Sequence, residues 1–182
     1  MKKTPQSLNQ IAIKMFKTIL YYSEIEHKIA IKSPKVAFMG LTLYPNMSSI
    51  WNFDTIFLYK ALQERHIEVR IHDPHVTGLD GLAGGIWLGR QQGDDNWTHA
   101  YDAVIITTPH TFYMDNLHKI THLLKPNKRG LIIDLHGYMM SHGIDSSSLA
   151  GISNAVDILD FSREYVSGDI LYGVYPKREI GG

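Results

Sequence analysis

Apolar residues recur along this chain at two periods. Leu8, Ile11, Met15, Ile19 and Tyr22 follow helical spacing, and Ala12, Phe16 and Leu20 widen the stripe. That pattern predicts a first helix from about Ser7 to Glu26. Lys32-Ser33-Pro34 interrupts it. "KVAFM" (Lys35 to Met39) is then a short apolar run of the kind buried in a parallel sheet. "FDTIFLYKALQERH" (Phe53 to His66) reads as helix, with Ile56, Phe57, Tyr59, Lys60 and Gln63 divided between two faces. "EVRIH" (Glu68 to His72) alternates as a strand and Asp73-Pro74 ends it.

Residues 77–96 are glycine-rich and fit a short helix, a hairpin or a loop equally. "AVIIT" (Ala103 to Thr107) is a third buried strand, and "FYMDNLHKITHLL" (Phe112 to Leu124) is a helix stopped by Pro126. "GLIIDLHG" (Gly130 to Gly137) gives a fourth strand with a glycine turn behind it. Beyond Tyr138 the rhythm weakens; "AVDIL" (Ala155 to Leu159) and "DILYGVY" (Asp169 to Tyr175) are candidate further strands. Strands alternating with helices predict a three-layer α/β/α, Rossmann-like domain with a mainly parallel sheet. Residues 1–33 form an N-terminal helix, a linker or oligomerisation element, and residues 34–182 the domain itself.

An open parallel sheet binds ligands beyond the carboxyl ends of its strands. Four segments follow those ends: Gly40 to Asn46, Asp73 to His75, Thr108 to His110, and Asp134 to Tyr138. Each contains polar groups, so a small-molecule site is expected where they converge.

Composition narrows the chemistry. Lys plus Arg and Asp plus Glu both number 18, so the formal charge is zero. A nucleic-acid or anionic-membrane binder carries basic excess, and neither partner is expected. The chain has no cysteine, which excludes disulfides, thiolate metal sites and a cysteine nucleophile on it. Polar residues interrupt each apolar run near the N-terminus, so neither a signal peptide nor a membrane span is read, and a cytoplasmic location is expected. His118 and His122 stand one helical turn apart but lack a third ligand, and no metal site is expected. No P-loop, G-x-S-x-G or G-x-G-x-x-G occurs; "GLDGLAGG" (Gly78 to Gly85) has the wrong spacing.

Four stretches in order, "VAFMGLTLYPN", "EVRIHDPHV", "YDAVIITTPHTFY" and "LIIDLHGY", resemble the C-terminal, nucleotide-sugar-binding domain of the UDP-glucose/GDP-mannose dehydrogenase family. That family's pattern is a strand with G-L-A-F-K-P-x-T-D-D-x-R, then Y-D-P-H, then a strand with a following H-x-x-F, then a strand closing on D-x-x-G. The resemblance runs from about Lys35 to Tyr138, and the His110 and Asp134-to-Gly137 versions look most like the branch acting on N-acetylated sugars. It implies a nucleotide-sugar site. In complete members, a separate Rossmann domain holds NAD and a middle region supplies a catalytic cysteine. This chain contains neither, so no cofactor is expected on it; NAD enters only if a partner domain supplies it.

The resemblance also shows departures. The family's F-K is Leu43-Tyr44 here, its T-D-D is Met47-Ser48-Ser49, and its arginine is Trp51. Tryptophan replaces neither the charge nor the bidentate fork of arginine. The candidate substrate contacts are Leu43, Tyr44, Asn46, Trp51, His110, Asp134 and His136, and no catalytic residue is assigned. Each has a structural alternative: Tyr44 as an exposed loop residue, Trp51 as a plug, Asn46 as a turn former, and Asp134 as a cap or acceptor for loop amides. His136 stands where the family has Lys or Arg and could meet a phosphate when protonated. His75 is read as structural. The expected function is a nucleotide-sugar-binding or accessory protein of polysaccharide precursor synthesis, non-catalytic alone. The alternatives are a subunit of a split NAD-dependent UDP-sugar 6-dehydrogenase, or an oligomerising module dimerising through the first helix.

Overall fold

A computed structural model describes residues 4–24, 33–48, 52–76, 86–87, 100–126, 129–149 and 156–162. The elements run α1 (Pro5–Glu24), β1 (Lys35–Met39), α2 (Phe53–Gln63), β2 (Glu68–His72), β3 (Ile86–Trp87), β4 (Ala103–Ile106), α3 (Thr111–Asp115), α4 (Leu117–Leu123), β5 (Gly130–Asp134), α5 (Tyr138–Ser141) and β6 (Val156–Asp160). The six strands form one sheet in the order β3-β2-β1-β4-β5-β6, and every pairing is parallel. The three-layer, Rossmann-like architecture is as the sequence predicts.

The two-residue period of the strands makes the layers. Val36, Phe38, Val69, Ile71, Ala103, Ile105, Leu131 and Ile133 point to one face, where α1 and α2 cover them. Ala37, Met39, Val104, Ile106 and Ile132 point to the other, against Tyr113, Ile120, Leu123 and Met139. Strands buried on both sides must be apolar throughout, which is why they read as runs rather than alternations.

The stripe on α1 belongs to this core. Leu8, Ile11, Met15, Ile19 and Tyr22 are all buried, packed with α2 and the strands. Each large side chain removed from water there contributes roughly 1.5–3 kcal/mol before entropy is counted. The Tyr22 hydroxyl donates to Asp157 Oδ2 on β6 at 2.6 Å, and Arg129 closes on the same carboxylate. At the amino ends of the strands, buried Asp102 accepts from the Lys35 amide and from Lys125 Nζ, each at 2.8 Å.

Three details differ from the sequence reading. The buried face of α2 is Thr55, Leu58, Tyr59, Ala61 and Leu62, while Ile56 and Phe57 are only partly covered. The helix expected over Phe112 to Leu124 is two helices. Asn116 leaves helical geometry (φ −122°, ψ 36°), its side-chain amide donating to the Phe112 carbonyl at 2.8 Å, as a short polar side chain competing with the helix does. The second helix ends at Gln63, and His66 takes a left-handed φ of 60° before β2. The candidate strand over 169–175 and most of 77–96 lie outside the described residues; Ile86–Trp87 forms the edge strand β3.

Candidate functional site at the carboxyl rim

The strand order reverses direction between β1 and β4, which makes their carboxyl ends the switch point. The two tips are drawn together there. Gly40 has φ 109°, and a Cβ on it would stand 2.4 Å from Thr108 Cβ and 2.7 Å from the Thr108 nitrogen. Only glycine fits that approach. Thr107 Oγ1 donates to the carbonyls of Met39 and Gly40, and Thr108 Oγ1 donates to the Thr42 carbonyl at 2.6 Å. The base of the crevice is thus stitched by the chain's own hydroxyls.

Beside it, Asp73 at the end of β2 organises the β1–α2 loop. Its Oδ2 accepts from the Leu41 amide (2.7 Å), the Thr42 amide (3.2 Å) and His110 Nε2 (3.1 Å), and its Oδ1 accepts from the His75 amide (2.8 Å). Burial alone would push this carboxyl up. The hydrogen bonds from His110 and the Leu41 and His75 amides outweigh it and hold Asp73 down at about 2. The fully buried His110 ring receives the Asn46 amide at Nδ1 (2.8 Å), so its proton sits on Nε2, facing Asp73 and the Thr42 hydroxyl. Asn46 holds a left-handed φ of 59°. Its side chain donates to Thr111 Oγ1 (2.8 Å) and accepts from the Thr111 amide (3.0 Å). Below His110, the buried Tyr113 hydroxyl donates to the His72 carbonyl at 2.7 Å.

The same device recurs at other tips. Asp134 ends β5, accepting from the His136 amide at Oδ1 (3.0 Å) and from the Met139 amide at Oδ2 (2.7 Å). Asp160 ends β6 and accepts from the Ser162 amide at 2.7 Å. Three strands therefore finish on an aspartate that receives the amide two residues on. The repeated Asp-x-His of Asp73-Pro74-His75 and Asp134-Leu135-His136 carried that signal in the sequence. The two threonines and the Asp73–His110 pair had no comparable one.

Of the seven predicted contacts, four have polar groups engaged within the fold: Asn46, His110, Asp134 and His136. His136 is exposed, with Nε2 2.9 Å from the Thr107 carbonyl. Leu43 and Tyr44 stand out from the loop at 42% and 54% exposure. Trp51 lies outside the described residues. Among the described residues, the exposed large apolar side chains are Leu43, Tyr44, Met47, Phe53 and Met140. All five sit on segments that follow a strand's carboxyl end: the β1–α2 loop, the start of α2, and α5 behind β5. Residues 40–53, 73–76, 107–111 and 134–141 contain no lysine or arginine. The rim is apolar and histidine-bearing, with carboxylates beneath it.

Residues 37–140 match the UDP-glucose/GDP-mannose dehydrogenase family, UDP binding domain. The match spans more than half the chain and covers the tips of β1, β2, β4 and β5, while the Asp160 tip of β6 lies beyond it. The chain belongs to this family. No curated protein matches it. Among solved structures, the UDP-D-ManNAc dehydrogenase from Pyrococcus horikoshii is similar in fold, with TM-score 0.51 and 17% identity, over 87% of this chain and 31% of that one. A UDP-glucose dehydrogenase from the hyperthermophilic archaeon Pyrobaculum islandicum gives TM-score 0.45 and 16% identity over 71% of this chain and 26% of that one. The chain thus spans about a third of the length of the Pyrococcus enzyme. By the resemblance drawn from the sequence, Tyr44 and Trp51 stand where the family pattern has lysine and arginine. Among the described residues no helix is long and apolar enough to cross a membrane.

Proposed function

We propose that this chain binds the uridine diphosphate part of a nucleotide sugar at the carboxyl rim of β1 and β4, and catalyses no step by itself. The observation that carries this reading is the coincidence of the switch-point rim with the UDP binding domain match at residues 37–140. Tyr44 offers a ring face to the base, backbone amides of the β1–α2 loop and the His136 ring face the phosphates, and Leu43 lines the sugar side. The chain holds no cysteine for a covalent step. Its place is an accessory one in polysaccharide precursor synthesis.

A second reading rests on the apolar lip. Exposed Leu43, Tyr44, Met47 and Phe53 at one edge suit a protein surface as well as a base. In that reading a separate polypeptide supplies the NAD site and the cysteine, and the two chains together form a UDP-sugar 6-dehydrogenase.

Calorimetric titration with UDP, UDP-N-acetylated sugars and GDP-mannose tests the first reading. Saturable heat with the uridine ligands, exceeding that with GDP-mannose, supports it. The absence of heat and of any thermal shift with all of them rejects it. Co-purification of a chain that oxidises a UDP-sugar only in this protein's presence establishes the second reading instead.

A further inference from the structure

We propose that His110 is a pH-operated latch on the β1–α2 loop: the neutral ring joins Asp73 to Asn46, and the imidazolium releases the Asn46 amide. The inference goes beyond ligand identity and stands whether or not the rim takes a nucleotide.

The ring is clamped from two sides. Its Nε2–H faces Asp73 Oδ2 at 3.1 Å and Thr42 Oγ1 at 3.3 Å, and its Nδ1 accepts the Asn46 amide at 2.8 Å. The Thr42 hydroxyl donates its own proton to the Tyr44 carbonyl at 3.1 Å, which leaves its oxygen as an acceptor toward His110. A single tautomer satisfies all these partners. Adding a proton at Nδ1 places two N–H donors nose to nose at hydrogen-bond distance. The Asp73 bond survives and gains charge, so the ring stays in place; the loop side must give.

The loop is built to give at that point. Asn46 sits at φ 59°, a conformation that costs a non-glycine residue energy and persists while its hydrogen bonds hold it. Its side chain remains tied to Thr111 through two bonds, which confines the release to the segment bearing Leu43, Tyr44 and Met47. The opening is a local rearrangement of the lip, with the floor unchanged.

Among the described residues, the charged and titratable neighbours of the ring are few. Asp73 from β2 favours the imidazolium. His75 from the following turn, with ring centroids 4.9 Å apart, opposes it when charged. Tyr113 from α3 packs edge-on at 5.4 Å, and its phenol is neutral throughout the range concerned.

Nuclear magnetic resonance on the wild-type protein tests the latch directly. The expected result is an Nε2–H ring at about pH 8, with the Asn46 amide protected from exchange. As acidification protonates His110, protection at Asn46, corrected for intrinsic rate, falls roughly tenfold or more while that at Ile105 is unchanged. His110→Gln offers an oxygen to Asn46 and an amide to Asp73 without titrating, so its Asn46 amide stays protected across the range. His75→Gln keeps the transition. Three results overturn the proposal: an Nδ1–H ring at high pH, a His110 that stays neutral until acid unfolding, or Asn46 protection that ignores the His110 titration.

Discussion

The β1–α2 loop contains two regions of opposite character within a few residues. Gly40, Leu41 and Thr42 are buried, and their backbone groups are met by Asp73, Thr107 and Thr108. Leu43, Tyr44 and Met47 are exposed by more than two-fifths each and rise from that floor as a lip. A loop whose sole task was to connect β1 to α2 would hide those side chains or make them polar. The floor fixes where the lip stands, and the lip leaves apolar surface in solvent. On the proposed function, stability and recognition are separable here, residue by residue.

The sharpest way to break the floor is Gly40→Ala. The added Cβ meets Thr108 Cβ at 2.4 Å, on a backbone already at φ 109°. Moving the β4 tip away would also strain the Thr107 and Thr108 hydrogen bonds to β1. The expected cost is on the order of 4 kcal/mol, a large fraction of the roughly 5–15 kcal/mol that holds a domain folded. Urea denaturation measures it; a variant within 1 kcal/mol of wild type, roughly the size of an ordinary surface change, would show that the tips are not tightly apposed.

Asp73→Asn comes next, at about 3 kcal/mol, because the amide cannot accept from the Leu41, Thr42 and His110 donors together. The wild-type carboxyl is held at about 2, below its ordinary value near 4. With the folded value depressed, its contribution is fully present above about pH 5 and disappears as pH falls toward 2. Asp73→Asn lacks that increment at every pH. The gap between the two proteins in urea midpoint should therefore hold steady above about pH 5 and narrow as pH falls from there toward 3, and a gap constant throughout would assign the loss to packing alone.

Much of the floor's framework was legible in sequence. The apolar runs Lys35 to Met39 and Ala103 to Thr107 gave β1 and β4 almost to the residue, because strands buried on both faces tolerate few polar groups. Asp73 and Asp134 could be placed at strand ends. Their partners could not, since a hydrogen bond between Asp73 and His110 spans 37 positions and leaves no local periodicity. The break at Asn116 was missed for a related reason: the apolar spacing from Phe112 to Leu124 continues across it, while one side-chain amide decides the backbone. Leu43 and Tyr44 are candidate contacts through the resemblance, at its F-K position, and both side chains are exposed. Asn46 and His110 are candidates too, and their polar atoms hydrogen-bond within the loop.

The smallest effect on stability is expected at the lip, and it tests the separation most directly. Tyr44→Ala removes a side chain that is more than half exposed, so its unfolding free energy should stay within about 0.5 kcal/mol of wild type. Its affinity for UDP should fall about three- to tenfold if the ring stacks on the base, the scale of one aromatic contact. Tyr44→Lys refines the same question by placing a cation at that position. A lysine should strengthen UDP binding and make it weaken with added salt, whereas binding by the tyrosine should respond little to ionic strength. Equal salt dependence in both proteins would place the diphosphate away from residue 44 and leave Tyr44 free for a protein partner. Loss of stability in Tyr44→Ala would mean that the lip carries part of the fold, and the division between floor and lip would fail.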